Sequence, residues 1–525
     1  MKNQTDRWLD GTKLALVLLA AALFVRLPGL FCGFYNPDET CYAAIGQRLL
    51  EGKFLYLQII DHKPPLIYYL YALFVFIGGN KAILVAHAAM IAIVAATAYA
   101  ICHIADFLNV IASPKGEAIP LSPGDCFVAA APRNDSHVGL LAAILYIVGT
   151  SLGKPNDVAA ANAELFFNLP LTLSLLFAIV SLDRKKLRFI AASGAFAGIA
   201  VLIKPQAAVA PAATGFFLLF ASGLAIRQRL KSAAAFAAFL SLPLGLAAFF
   251  LSANGSLSAA WYWGVTVNSL YMEGHEGGAV MALRFFKQSL YMFSEEFALW
   301  IPLILWPFLK NRGDRIISGN GRLIAIWLAA SALAVVPGFR FYGHYYLQML
   351  PPLSILSACA ALKLLSAAKA KRALVASWCA VIAIPLVYSW IWATPLIGKG
   401  LEPEENAGLI SYLKEATRPG EKIEVWGRFN GIPFLAGREN GTRFLNKNLL
   451  SGSFRRKKLV RMPDAHWDMF FADIEKNKPE WFVDHSGVDM KDAPINLFPK
   501  LADYIESHYT LKAEVNGSTV YRRNR

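Results

Sequence analysis

Long apolar runs separated by short polar segments dominate the first 396 residues of this 525-residue chain. A helix needs about 20 predominantly apolar residues to cross ~30 Å of hydrocarbon. Eleven runs come close enough to that length to predict an α-helical membrane domain over residues 1–396. They fall at residues 14–30, 82–107, 138–152, 165–182, 189–203, 207–224, 232–251, 289–309, 323–338, 346–364 and 373–396.

Two segments of this region do not fit a simple span. Residues 66–78 are aromatic-rich and short, which predicts an interfacial helix. Residues 112–137 form a polar tract with several Pro and Gly, and this composition predicts a poorly ordered insertion in a cytoplasmic loop.

The pattern changes character from residue 397 onward. Apolar spacing predicts an amphipathic helix over 403–417 and a second helix over 466–476. Strands are predicted at 422–426 and 480–484, and a hairpin over 509–522 that turns at Asn516-Gly517. About 130 residues can bury a core of their own, so residues 397–525 are predicted to form a soluble α/β domain.

Basic clusters predict the orientation of the spans. They lie at residues 184–188, 227–231, 310–315 and 369–372 and alternate with acidic or neutral loops. Because cytoplasmic loops carry an excess of Lys and Arg, eleven spans with a cytoplasmic N-terminus place all four clusters inside. The first loop and the tail from residue 397 are then extracytoplasmic, and the chain is predicted to reside in the plasma (inner) membrane.

Composition agrees with this class of protein. The chain is 56% hydrophobic and 17% charged, whereas soluble domains carry roughly 25% charged residues. The formal net charge is +15, and the tail contributes little of it, with 21 Lys+Arg against 18 Asp+Glu. Nucleic-acid binding is a poor interpretation, because the basic residues come in short clusters between apolar runs.

Cys32 and Cys41 flank the first loop and can pair in an oxidising compartment.

Candidate chemistry is concentrated in the first extracytoplasmic loop. Asp38 and Glu39 follow the first apolar run, and Asp61, His62 and Lys63 close the same polar segment. A carboxylate at such a membrane surface can act as a base on a water-soluble acceptor. A lysine there can pair with the phosphate of a lipid.

Further ionisable residues fall on the same predicted side. They are Glu164, Lys204, Arg340 and His344, with Tyr345 beside the last. Ionisable groups at membrane depth are costly and usually functional. For Lys204 alone, a snorkelling side chain is an equal alternative, and for His344 alone, an interfacial histidine among tyrosines. Taken together, Lys63, Lys204 and Arg340 would neutralise a phosphodiester while Asp38 or Glu39 deprotonates a hydroxyl, which suits sugar transfer from a polyprenyl phosphate.

The order of these motifs resembles a bacterial member of the GT-C superfamily of glycosyltransferases. The family is that of protein O-mannosyltransferases and lipid A aminoarabinose transferases. The matching residues are Arg26-Leu-Pro, Asp38-Glu39-x-x-Tyr42, Lys63-Pro-Pro-Leu66, Ala161-Asn-Ala-Glu164, Lys204-Pro205 and Arg340-x-x-x-His344-Tyr-Tyr.

The resemblance implies a role for each matched position. It implies that Asp38 is the catalytic base with Glu39 as its neighbour, and that Lys63, Lys204 and Arg340 contact phosphate. Tyr42, Glu164, His344 and Tyr345 would line the substrate site. The transfer would be inverting, with no covalent intermediate, to a lipid, glycan or protein acceptor.

A divalent metal stays open as a cofactor. Aminoarabinose transferases have Glu-Lys-Pro at the second loop motif, where the glutamate helps to hold a metal. This chain has His62-Lys63-Pro64 there, so His62 and Glu164 are the candidate ligands and the protein-mannosyltransferase side of the family suggests metal-independent transfer.

Two other classes of protein compete with the enzyme. A transporter or flippase of a lipid-linked anion would also place charges in a membrane cavity. Transporters often show inverted repeats and broken helices at the midplane, which this sequence does not display. A non-catalytic scaffold would leave the clustered charges unexplained.

Overall fold

The structure is a computed structural model that describes residues 4–112, 138–272, 277–309, 321–367, 371–393, 404–454 and 459–524. The insertion predicted over 112–137 lies outside these residues, except for its first position, which ends the helix Ala82–Ala112.

Apolar helices make up most of the described part of the chain before residue 394. Five are long and apolar enough to cross a membrane: Gly11–Leu30, Leu66–Leu108, Ala163–Arg184, Ile226–Ala253 and Gly343–Leu365. Shorter apolar helices are Val138–Gly149, Leu187–Ile203, Pro205–Phe220, Phe297–Phe308, Arg322–Leu333 and Val375–Tyr388. Ten of the eleven predicted spans coincide with one of these helices, and the exception is the run at 289–309.

The chain divides into two compact units. The first unit comprises Met1–Phe31, His87–Leu246 and Ala282–Gly398 and is built from the apolar helices. Part of its core is a cluster of buried side chains, namely Met292, Val335, Phe341, Tyr346 and Met349.

One predicted span of this unit is interrupted. The run at 289–309 is two helices, Gly278–Glu295 and Phe297–Leu309. The break falls at the buried Glu296. The prediction of a single span over 289–309 was therefore wrong. The run is predominantly apolar on average, but it contains the polar pair Glu295-Glu296, at which the helix breaks.

The second unit comprises Cys32–Ala86, Ala247–Met281 and Lys399–Arg525. Its first segment was predicted as a polar loop, but it holds the helices Pro37–Leu50 and Leu66–Gly78. These two helices approach closely at Gly46, where an added Cβ would lie 2.7 Å from the backbone nitrogen of Ala72. Only glycine permits that distance without a shift of the backbone.

The tail of this unit is an α/β domain, as predicted. Its sheet has strands β1 Lys422–Trp426, β2 Glu439–Asn440, β3 Trp481–Asp484, β4 Tyr509–Val515 and β5 Ser518–Arg523. The strand order is β2-β1-β3-β5-β4. β1 pairs in parallel with β2 and β3, whereas β5 pairs antiparallel with β3 and β4. The main helices are Glu404–Ala416, Asp464–Asn477 and Pro499–His508.

The cysteine pairing considered for the first loop does not form. Neither Cys32 nor Cys41 is part of a disulfide, and Cys41 is buried. Cys41 lies in the helix Pro37–Leu50, where its sulfur contacts the side chain of Asn430 at 3.7 Å. The helix, which sequence reasoning missed, holds Cys41 in the protein interior.

Candidate active site

The helix Pro37–Leu50 presents Asp38 from its first turn. Asn36 caps the helix by accepting a hydrogen bond from the Asp38 backbone N–H at 3.0 Å. The Glu39 carboxylate accepts from the backbone N–H groups of Tyr35 (2.7 Å) and Asn36 (3.0 Å). This is a capping box, and Pro37 at the first helical position suits it. Asp38 and Glu39 therefore differ in environment, because Glu39 is fully buried by the cap.

Asp38 is the accessible carboxylate of a small cluster, which we call the Asp38–Lys63 cluster (Asp38, Tyr42, Asp61, His62 and Lys63). The side chain of Asp38 is 40% exposed, and its Oδ2 lies 3.6 Å from Lys63 Nζ. The Tyr42 hydroxyl donates to the same oxygen at 3.0 Å. These contacts orient a carboxylate whose other side meets solvent.

Lys63 lies against aromatic rings. Its Nζ is 5.0 Å from the centroid of the buried Tyr42 ring. Tyr42 packs edge-on against Tyr68 and Tyr71, with centroids 6.0 and 5.2 Å away. Such pairs contribute about 0.5–1.5 kcal/mol each beyond the area they bury. The aromatic cluster thus gives the ammonium group a fixed face to rest on.

Asp61 organises the loop that carries His62 and Lys63. Asp61 is 1% exposed. Its carboxylate accepts hydrogen bonds from the His62 backbone N–H and from the Tyr68 hydroxyl, both at 2.8 Å. Its Oδ1 also lies 2.8 Å from His62 Nδ1. Burial alone would raise the pKa of Asp61. The charge of Lys63, the electrostatic interaction with His62, and the side-chain hydrogen bonds from His62 and Tyr68 together outweigh burial and hold the pKa of Asp61 below its ordinary value.

The first unit contains a second cluster of predicted residues. Glu164 lies in the first turn of the helix Ala163–Arg184, and Lys204 caps the C-terminus of Leu187–Ile203. The two form a buried ion pair between Lys204 Nζ and Glu164 Oε1. Lys204 Nζ also lies 4.2 Å from the centroid of the Tyr345 ring. Glu164, Lys204 and Tyr345 are therefore brought together, and Lys204 is not a snorkelling side chain.

Arg340 and His344 lie in an irregular segment of the same unit. Arg340 is 7% exposed and stands between Phe339 (φ 50°) and Phe341 (φ 53°). Left-handed φ at two bulky residues costs free energy and is typical of functional segments. His344 is the second residue of the 3-10 helix Gly343–Met349. Its Nδ1 lies 3.4 Å from Oδ1 of Asp157.

Neither metal candidate has a full ligand set. The described ranges contain no group of three or more His, Cys, Asp or Glu side chains arranged to hold a metal ion. At Glu164, one oxygen already pairs with the Lys204 cation, whose charge would repel a metal ion. At His62, Nδ1 faces Asp61. These residues do not fit a divalent metal held by the protein alone.

Two further residues, Arg26 and Asn268, support the site although the sequence analysis gave neither of them a role. Arg26 donates to the carbonyl groups of Thr150, Val158 and Ala159 at 2.6–3.2 Å, which fixes the segment that carries Asp157. Asn268 donates to the His62 carbonyl at 3.1 Å. Arg26 had a signal in the Arg-Leu-Pro motif, whereas nothing in the sequence around Asn268 distinguishes it from other polar residues.

Comparison with known structures identifies the fold. The crystal structure of ArnT from Cupriavidus metallidurans bound to undecaprenyl phosphate matches with a TM-score of 0.59 at 14% sequence identity, over 99% of this chain and 98% of that chain. The apo structure of the same protein matches with a TM-score of 0.58 at 14% identity, over 97% and 98%.

No protein-family model matches the sequence, and no curated protein sequence matches it. ArnT is a lipid A aminoarabinose transferase with the GT-C fold. The predicted GT-C fold is therefore confirmed in three dimensions, and with its apolar helices the chain is a multi-pass membrane protein.

Proposed function

We propose that this protein is a membrane glycosyltransferase that transfers a sugar from a polyprenyl-phosphate donor to an extracytoplasmic acceptor. The observation that carries the proposal is the pair formed by the half-exposed Asp38 carboxylate and the Lys63 ammonium at 3.6 Å. It occurs on a fold shared with a protein bound to undecaprenyl phosphate.

The Asp38–Lys63 cluster supports an acid–base role for one group and an electrostatic role for the other. Asp38 takes the proton of the acceptor hydroxyl as that oxygen bonds to the anomeric carbon of the sugar. The bond between that carbon and the phosphate oxygen breaks, and its electron pair leaves with the polyprenyl phosphate. Lys63 stabilises the charge on this leaving group. Attack from the face opposite the phosphate inverts the anomeric centre.

The Tyr42 hydroxyl and the Lys63 ammonium both contact Asp38 Oδ2. Both hold the Asp38 side chain in one orientation, in which a hydroxyl group can approach it from solvent. Glu39 supports Asp38 through the helix cap, because its own carboxylate binds the backbone N–H groups of residues 35 and 36. Its part in the reaction is to hold the first turn in place.

Lys204 and Arg340 are proposed to bind the anionic group of the donor. The buried pair between Lys204 and Glu164 supports this role, because a cation held beneath an aromatic ring keeps a fixed position. Tyr345 provides that ring. Phe339 and Phe341, on either side of Arg340, have left-handed φ angles. This backbone conformation fixes the direction in which the Arg340 side chain leaves the main chain.

The predicted topology supplies the remaining assignments. The N-terminus is proposed to be cytoplasmic and the tail extracytoplasmic, in the plasma (inner) membrane. The acceptor is then a lipid, glycan or protein of the cell envelope.

A transfer assay tests the proposal. The protein in lipid nanodiscs is given radiolabelled polyprenyl-phosphate sugars together with envelope lipids and glycans, and labelled acceptor is measured. Asp38→Asn should abolish labelling. Asp464→Asn is the matched control, since Asp464 is an exposed carboxylate of the tail and its loss should leave the rate unchanged.

A transporter or flippase, the competing class of protein, would give a different result in a translocation assay with proteoliposomes. A flippase would move the lipid-linked sugar across the bilayer and would not release polyprenyl phosphate. Translocation without release, in a preparation that is folded and binds the donor, would exclude the enzyme.

A further inference from the structure

The tail holds the loop that carries Lys63 through a direct backbone contact. The Ile60 N–H donates to the Arg443 carbonyl at 2.9 Å, and Ile60 forms a parallel bridge with Phe444. The Arg443 guanidinium donates from Nη1 to the Leu57 carbonyl at 3.1 Å. One tail residue therefore binds the loop with both its main chain and its side chain.

Arg443 is itself fixed within the tail. Its Nε and Nη2 donate to the two oxygens of Asp473 at 2.8 and 2.7 Å, and its backbone N–H donates to the same carboxylate at 2.9 Å. Asp473 is 7% exposed and lies in the helix Asp464–Asn477. A planar, bidentate pair of this kind has a defined direction, so the remaining nitrogen of Arg443 points at Leu57 with little freedom.

The loop continues from Leu57 to Lys63 through a chain of hydrogen bonds. The Tyr56 hydroxyl donates to the Lys63 carbonyl at 2.6 Å, and the Lys63 N–H donates to the Tyr68 hydroxyl at 3.2 Å. Tyr56 has a left-handed φ of 68°. Such a conformation in a bulky residue persists only when its surroundings impose it, and Arg443 contacts the next residue along the chain.

The other side of the loop leads back to the tail as well. Asn268 donates to the His62 carbonyl at 3.1 Å from a segment that includes the π-helix Tyr262–Thr266. The Tyr262 hydroxyl is hydrogen-bonded to His466 Nε2 at 2.8 Å. The loop is thus held from both sides by groups that depend on the tail.

We propose that Arg443 is a positioning residue for Lys63 and that the tail sets the geometry of the site that binds the donor's phosphate. A charged group must be held within a fraction of an ångström of its working position to stabilise a leaving group. Arg443 touches neither Asp38 nor Lys63 in the described contacts, so it acts through the loop backbone. This inference rests on the proposed function of Lys63.

A double-mutant cycle with undecaprenyl phosphate tests the inference. Arg443→Met keeps the length of the side chain and removes its donors, and Lys63→Met removes the phosphate contact. Full-length variants in nanodiscs are titrated with undecaprenyl phosphate. Arg443→Met should weaken binding roughly three- to tenfold, and the double variant should bind no more weakly than Lys63→Met, because coupled residues are not additive.

Arg438→Met is the matched control. Arg438 also donates to carbonyl groups, those of Ala436, Gly437 and Thr417, but all of them lie within the tail. Its loss should lower the Tm without changing the affinity for undecaprenyl phosphate. Hydrogen exchange over residues 54–63, measured on the same samples, should increase in Arg443→Met and stay unchanged in Arg438→Met.

The outcomes distinguish the positioning role of Arg443 from the phosphate-binding role of Lys63. Unchanged exchange over 54–63 in Arg443→Met overturns the inference. Increased exchange with additive losses of affinity also overturns it, because Arg443 would then act on overall stability alone. If Lys63→Met binds normally, the proposed role of Lys63 fails, while the exchange data still decide whether Arg443 orders the loop.

Discussion

Three carboxylates of the segment that follows the first apolar helix have three different environments. Glu39 is fully buried in a helix cap, and Asp61 is buried against His62 and Tyr68. Only Asp38 combines exposure with a lysine partner. The sequence alone places all of them in one polar stretch, so their separate roles follow from burial and hydrogen bonding.

Asp38→Asn should reduce the transfer rate by more than tenfold, corresponding to at least ~1.4 kcal/mol of lost transition-state stabilisation. The amide keeps the shape of the side chain but cannot take a proton. Donor affinity and Tm should stay close to those of the unmodified protein. Single-turnover kinetics measure the rate, and a retained rate above a tenth would rule out Asp38 as the base.

Glu39→Gln should have a smaller effect on the rate than Asp38→Asn. The amide oxygen can still accept from the N–H groups of residues 35 and 36, so the cap weakens without being lost. Glu39→Ala removes the acceptor and should lower stability by about 1 kcal/mol. Thermal unfolding of both variants checks this order, and an equal loss of rate in Glu39→Gln and Asp38→Asn would contradict it.

Lys204→Met should destabilise the protein, because it leaves the buried Glu164 carboxylate without its cation. Breaking a buried pair from one side costs about 3–5 kcal/mol. Adding Glu164→Gln should restore most of the stability but not the affinity for undecaprenyl phosphate. Recovery of both properties in the double variant would mean that Lys204 has only a structural role.

At the scale of elements, local signals predicted the tail more closely than the segment around the site. The strand at 422–426 and the turn at Asn516-Gly517 carry compact signals, and the structure places both where they were expected. The helix Pro37–Leu50 was missed because its first turn is polar and reads as a loop. Strand β2 has only two residues, too few for any periodicity.

The contacts that build the site depend on tertiary packing. Glu164 and Lys204 are 40 residues apart, and their pairing requires the ends of two helices to meet. Nothing in their local spacing encodes that meeting. Sequence patterns therefore predicted a set of candidate residues, but not which of them form pairs.

His466 links the segment 257–272 to the tail in a pH-dependent way. Burial lowers the pKa of His466, and its hydrogen bond to the Leu449 carbonyl opposes this only in part. As the pH falls, His466 is therefore protonated at a higher pH in the unfolded chain than in the folded one. The stabilisation contributed by the buried neutral imidazole is complete above the ordinary pKa of 6.5 and is lost as the pH falls below that value. The difference in Tm between the unmodified protein and His466→Gln should shrink from pH 8 to pH 5. A constant difference would show that His466 does not titrate in this window.

At the scale of the whole molecule, the predicted topology places the tail outside the cytoplasm. A reporter fused after Arg525 decides the matter. Alkaline phosphatase should be active there, and green fluorescent protein exported unfolded should be dark. The opposite pattern would mean that one span has been miscounted, and it would place the tail on the cytoplasmic side.

The chain order of the tail strands also bears on biogenesis. β5 comes after the other four strands in sequence, yet it lies between β3 and β4 in the sheet. Until the ribosome has delivered residues 518–523, one edge of β3 stays open to wrong partners. The contact from Arg443 to Leu57 spans 386 residues, so it too forms late. A newly made chain would therefore pass through an aggregation-prone stage, during which a chaperone that binds the unfinished tail would increase the yield of mature protein.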